Sequence, residues 1–245
     1  MAKNLCIDCG NTLVKAALFA DDDIVAREQV SYDELARLTE FVKGCNASSA
    51  LLSSTSTRSA EVTAAVLPLL PCDLKELSHD MPLPIGLGYR TPSTLGRDRI
   101  AAAVGAWEVF PGCNLMVIDA GTCVTMDVVT ADGTYIGGNI APGIEMRLRA
   151  MHEFTSKLPQ VALNGDVPMV GYDTDTAMRS GAVLGVVNEI DAMATKLRAL
   201  LGQLKVLLTG GAASRLNEYL SVDNCTIAPD LVLRGLNAII NYNEY

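Results

Sequence analysis

The stretch NLCIDCGNTLVKAALFADDDIVA, residues 4–26, is answered later in the chain by LMVIDAGTCVTMDVVTADGTYIGG, residues 115–138. Asp8 matches Asp119, Gly10 matches Gly121, Asn11 matches Thr122 and Asp21 matches Asp132. The separations 119 − 8, 121 − 10 and 132 − 21 all equal 111. Each copy reads as an apolar strand ending in D-x-G, a polar residue at a tight turn, a second strand and an acidic turn. A repeat at nearly half the chain length predicts two related α/β halves. The expected halves are 1–113 and 114–245, with LVLRGLNAIINYNEY (231–245) read as a helix that packs back on the first.

The chemistry of the repeat points to phosphate. A tight hairpin with glycine lets backbone N–H groups approach an anion, and the Asn, Thr and Lys side chains add donors. Two such hairpins facing each other across a cleft are suited to clamp a polyphosphate. An Asp at the strand end suits a hard cation or its water. The plain alternative is that each D-x-G only caps its turn, with the Asp accepting local N–H bonds. Cys6 and Cys9 overlap the first copy as C-x-x-C, the spacing of a zinc or redox pair. No second ligand pair exists, and residues three apart on a strand point to opposite faces, which argues against that use. The seven scattered cysteines read as reduced thiols.

Elsewhere strands and helices alternate. SYDELARLTEFVKG (31–44) reads as a helix capped by Ser31, with Glu34 three residues later and Gly44 closing it. SALLSST (49–55) reads as a buried strand and TRSAEVTAAVLPLL (57–70) as a helix. RDRIAAAVGAWEVF (97–110) is helical by its alanines and stops at Pro111-Gly112. GGNIAPGIEM (137–146), dense in Gly and Pro, reads as a shaped loop, and GYDTDTAMRSGAVLGVV (171–187) as a helix beginning near Thr174. KVLLTGGAASRL (205–216) reads as a strand, a Gly-Gly turn that lets backbone pass a flat ring, and a helix. Neither a G-x-x-x-x-G-K-[ST] loop nor a strand-linked G-x-G-x-x-G is present.

Between the hairpins, Asp98 and Arg99 follow Gly96 at a loop-to-helix boundary. A kinase needs a carboxylate to accept the acceptor hydroxyl's proton and positive charge near the moving phosphoryl group. A helix cap with a solvated Arg accounts for the same residues. The net charge of −9 weighs against non-specific binding to nucleic acid or an anionic membrane surface. With 49% hydrophobic and 19% charged residues, a globular protein is expected. No apolar run is long enough to span a bilayer, and no basic-then-apolar leader opens the sequence, so a cytoplasmic location is expected.

These segments together resemble the type III pantothenate kinases. The matching elements are D-x-G-N-T-x-x-K (Asp8 to Lys15), Tyr89 ahead of G-x-D-R (Gly96 to Arg99) and D-x-G-T-x-x-T (Asp119 to Thr125). GGNIAPG, the Thr174 helix running to Ser180-Gly181, and TGG at 209–211 complete the set. The resemblance implies two duplicated ribonuclease-H-like (actin/hexokinase-type) α/β domains around a nucleotide cleft. It implies ATP binding by Asp8, Cys9, Gly10, Asn11, Thr12, Leu13, Val14, Lys15 and Thr122. It further implies that Asp98 is the general base and that Tyr89, Gly96, Arg97, Asp98, Arg99 and Thr174 contact pantothenate. Asp119 is implied to bind a monovalent cation, K⁺ or ammonium, with Mg²⁺ or a similar divalent ion accompanying ATP. A homodimer is implied as well, phosphorylating the primary hydroxyl of pantothenate on the route to coenzyme A. Two departures are visible: Cys123 where the family commonly has Ala, and Asp173 where it commonly has Asn. An actin-like sugar or acetate kinase and a non-catalytic ATP-binding regulator of the same fold remain the alternatives.

Overall fold

The computed structural model describes residues 2–223 and 225–243. The last two residues of the expected C-terminal helix therefore lie outside the described residues. The chain forms two compact units. The first takes the residues up to Gly112, Ala131–Ile136, and those from Asp230 on; the second takes Cys113–Thr130 and Gly137–Pro229.

In the first unit, strands β1 (Lys3–Cys9), β2 (Leu13–Ala20) and β3 (Asp23–Ser31) form an antiparallel meander. Helix α1 (Leu35–Cys45) leads to β4 (Ser49–Ser54), and α2 (Ser59–Val66) leads to β5 (Leu74–Glu76). The sheet order is β3-β2-β1-β4-β5, with β4 and β5 parallel to β1. Leu5, Ile7, Val14, Ala16 and Leu18 alternate onto one face and meet Leu38 and Val42 of α1 and Val62 and Val66 of α2. Each fully buried Val or Leu of this kind contributes about 1.5–3 kcal/mol.

The opposite face belongs to two helices. A short strand, β6 (Gly86–Leu87), pairs with Thr134–Tyr135, and α3 (Arg97–Val109) follows. The second unit then opens with a meander of β7 (Asn114–Ala120), β8 (Cys123–Val129) and the later part of β9 (Thr134–Pro142). Helices α4 (Ile144–Glu153) and α5 (Thr174–Leu201) lead to β10 (Leu204–Thr209), and α6 (Ala213–Asn217) to β11 (Cys225–Ile227). The chain ends in α7 (Leu231–Asn243), which packs on α3, β1 and β4 of the first unit. Asn4 on β1 donates to Asn237 and Asn241 of α7 at 2.9 and 2.7 Å, joining helix and sheet through side-chain amides. Gly105 and Gly235 face each other where α3 and α7 cross.

The order β9-β8-β7-β10-β11 repeats that of the first unit, with β10 and β11 parallel to β7. Shifting β1 and β3 by the 111-residue offset lands on the bounds of β7 and β9. The middle strands do not shift so cleanly. Asp8 pairs with Lys15 but Asp119 with Thr125, so the second hairpin is one residue shorter and Thr125 stands where Lys15 does. The second core gathers Met116, Ile118, Val124 and Leu208 against Val183, Val186 and Ile190 of α5.

Two sequence expectations are corrected. Gly44 does not close α1; it lies within the helix, which ends at Asn46 in the left-handed region (φ 45°, ψ 53°). Asn tolerates that conformation through its short polar side chain. GGNIAPGIEM is not a loop: its first residues continue β9, and Ile144 starts α4. A Cβ on Gly138 collides with the Met126 carbonyl and the Asp127 backbone of β8, so glycine there permits close strand approach rather than a bend.

Candidate active site

Asp8, next to last in β1, is 9% exposed and sits opposite Lys15 in the ladder, so carboxylate and ammonium share a face. Asn11 and Thr12 are exposed at the hairpin tip. Cys9 and Val14 instead turn their side chains into the core beneath α1 and α2. Burial, followed by the nearby Asp8 and Glu76 carboxylates, pushes the Cys9 thiol up to about 12. Both cysteines of the C-x-x-C are free and buried, and alternation along β1 sends Cys6 to the other face.

The hairpin tip is held by a residue that motif reading missed. The Tyr32 hydroxyl donates to the Gly10 carbonyl at 2.7 Å, and Arg58 stacks 4.7 Å above the Tyr32 ring. Gly10 N–H closes the turn onto Leu13 O at 3.1 Å. The second hairpin closes through Gly121 N–H to Cys123 O at 2.9 Å, and Gly143 N–H donates to Thr122 O at 3.0 Å. Gly143 lies 111 residues after Tyr32, but one lock uses a side-chain hydroxyl and the other a backbone N–H, so no residue in the repeat signals either.

Gly96, Arg97, Asp98 and Arg99 lie together at the start of α3. Gly96 is its N-cap, Asp98 lies in the first turn, and the Asp98 carboxylate accepts from Arg99 N–H at 2.8 Å. A Cβ on Gly96 falls 2.6 Å from that same oxygen, so glycine leaves the carboxylate its place. Arg99 is buried, while Arg97 and Asp98 are half-buried; Arg97 donates to Leu95 O at 2.8 Å. Exposed backbone donors and the helix dipole favour an anion at such a terminus. Tyr89, half-buried, meets Tyr135 edge to face at 6.0 Å.

In the second unit, Asp119 is next to last in β7 as Asp8 is in β1, and Thr122 is exposed at the tip. Gly210 has φ +92°, and a Cβ there strikes the Asp119 carboxylate and lies 2.5 Å from Ala120 O. Only glycine allows the backbone to pass this close to the strand end, and the Asp119 carboxylate is the oxygen donor type that hard cations take. Among the described residues no group of three or more His, Cys, Asp or Glu is placed to hold a metal. Thr174 is exposed as the first residue of α5, whose N-cap is Asp173. The Asp173 carboxylate accepts from Thr176 N–H at 2.8 Å, and this bond, with one from the Thr176 hydroxyl, holds its pKa below the usual carboxylate value.

Duplicated α/β units with a D-x-G hairpin in each define the actin/hexokinase-like fold. A like fold occurs in the activator of 2-hydroxyisocaproyl-CoA dehydratase from Clostridium difficile, solved with bound ADPNP (TM-score 0.57, 15% identity, 99% and 95% of the two chains). It occurs also in the inorganic polyphosphate/ATP-glucomannokinase of Arthrobacter (TM-score 0.50, 14% identity, 100% of both chains). The profile of the type III pantothenate kinases matches residues 4–196. The type III pantothenate kinase of Phocaeicola vulgatus is 40% identical over 98% of this chain and 99% of its own. The chain belongs to the type III pantothenate kinase family.

Proposed function

We propose that this protein transfers the γ-phosphoryl group of ATP to the primary hydroxyl of pantothenate, giving 4′-phosphopantothenate and ADP, the first step toward coenzyme A. The observation that carries this reading is the chain-long similarity to the family, at 40% identity over 98% of the residues. Asp98 takes the hydroxyl proton as that oxygen attacks the γ-phosphorus and the bond to the ADP oxygen breaks. Its position in the first turn of α3, beside Arg97 and Arg99, supports that role. Tyr89, Gly96, Arg97, Arg99 and Thr174 hold pantothenate. Asp8 through Lys15 and Thr122 hold ATP, with Cys9 and Val14 acting through backbone because their side chains are in the core.

Asp119 is the residue that holds K⁺ or ammonium, and Mg²⁺ accompanies ATP. When bound, these ions offset charge on the phosphate oxygens. A homodimer in the cytoplasm is part of the same proposal. Among the described residues no helix is long and apolar enough to cross a membrane. The test is ADP release with and without pantothenate, in K⁺ and then in Na⁺ buffer. Release that needs both pantothenate and K⁺ is expected. Release driven equally well by a sugar or acetate moves the assignment to another acceptor, and ATP binding without turnover moves it to a regulator.

A further inference from the structure

Ser53, which no sequence motif singled out, and Thr209, the Thr of TGG at 209–211, occupy matching places. Ser53, near the end of β4, is the register partner of Asp8, and Thr209, ending β10, is the register partner of Asp119. Partners on neighbouring strands share a face of the sheet. Each Asp therefore has a hydroxyl residue beside it on the parallel strand, and Lys15 or Thr125 beside it on the antiparallel strand. In the first unit, Gln29, Lys15, Asp8 and Ser53 form one polar row across four strands.

The backbone around both hydroxyl residues is duplicated too. Thr55 N–H donates to Cys9 O at 3.1 Å, and Ala212 N–H to Ala120 O at 3.0 Å, just past the two strand ends. Ser53 is 0% exposed, and its Oγ has no hydrogen-bond partner among the described residues. A buried hydroxyl without a partner opposes folding, and an apolar side chain of the same size avoids that cost. Such orphans in native proteins call for a reason beyond packing.

The geometry points to Ser53 as a positioning residue for the nucleotide site: its hydroxyl donates to the Asp8 carboxylate in the ATP-bound protein and fixes the direction of that carboxylate. Thr209 is its counterpart for Asp119. The inference rests on the reading of Asp8–Lys15 as the ATP-holding hairpin.

Ser53→Ala and Ser53→Thr proteins test it through three readouts. These are calorimetric affinity for a non-hydrolysable ATP analogue with Mg²⁺, the two Michaelis constants, and the thermal midpoint. Ser53→Ala is expected to bind the analogue about tenfold more weakly, the worth of one hydrogen bond to a charged acceptor. The KM for pantothenate is expected to stay unchanged and the midpoint to stay level or rise, since an unsatisfied hydroxyl has been removed. Ser53→Thr is expected to restore binding to within about twofold, because it returns the donor. Wild-type affinity in Ser53→Ala overturns the inference, whether or not the midpoint falls. A wild-type protein that binds no ATP analogue overturns the assignment of the hairpin itself, and so separates the two failures.

Discussion

Replacing Gly105 in α3 by Ala sets two effects of opposite sign against each other. In a helix interior Ala is favoured over Gly by about 1 kcal/mol. At Gly105, however, the added Cβ strikes the Leu231 carbonyl oxygen and lies 3.1 Å from Gly235 N, both in the backbone of α7. No flexible side chain can yield, so the helices must separate. Overpacking of this kind costs about 1–3 kcal/mol and is taken near the upper end for a clash with backbone. The net loss is about 2 kcal/mol. For a chain of this size each kcal/mol moves the midpoint by about 2–4 °C, which predicts a fall of roughly 4–8 °C. Gly44→Ala is the control, because a Cβ at that helical glycine meets nothing within 4 Å. It is expected to raise the midpoint by roughly 2–4 °C. The assay is thermal unfolding of both variants and wild type by circular dichroism at one scan rate. A Gly105→Ala protein that melts at or above wild type refutes the reasoning.

Tyr32→Phe keeps the ring under Arg58 but loses the bond to Gly10 O, so a loss of about 0.5–1.5 kcal/mol is expected. Denaturant unfolding measures that loss, and steady-state kinetics should show a higher KM for ATP with that for pantothenate unchanged. Asp173 carries a depressed pKa, so its capping contribution is present above its unfolded value of about 3.9 and is lost as pH falls through the lower folded value. Asp173→Ala is therefore expected to melt below wild type at pH 7, with the gap narrowing below about pH 4. Asp173→Asn, which keeps a capping oxygen, is expected to stay close to wild type at pH 7.

The repeat was legible because it is local. Asp8, Gly10 and Asp21 mark one meander, and their counterparts at Asp119, Gly121 and Asp132 mark the other, so β1, β3, β7 and β9 follow from one offset. The hidden parts depend on pairings far apart in sequence. Ser53 reaches Asp8, and Thr209 reaches Asp119, only through parallel strands joined by helical crossovers. The contact of Gly105 with Gly235 exists only once α7 has returned to α3. Gly138 was misread for a related reason: glycine signals a loop in sequence, but here it accommodates the neighbouring strand. Asn46 took the capping role expected of Gly44 because the helix runs past the glycine before turning left-handed.

The account rests on Asp98 as the base in phosphorylation of pantothenate, and mass spectrometric detection of 4′-phosphopantothenate tests this most directly. Wild type and Asp98→Asn are each incubated with ATP, Mg²⁺, K⁺ and pantothenate. Wild type is expected to form the product, and Asp98→Asn to form it roughly 10²–10⁴-fold more slowly while keeping the wild-type melting temperature. Full turnover by Asp98→Asn, or no phosphopantothenate from folded wild type, contradicts the account.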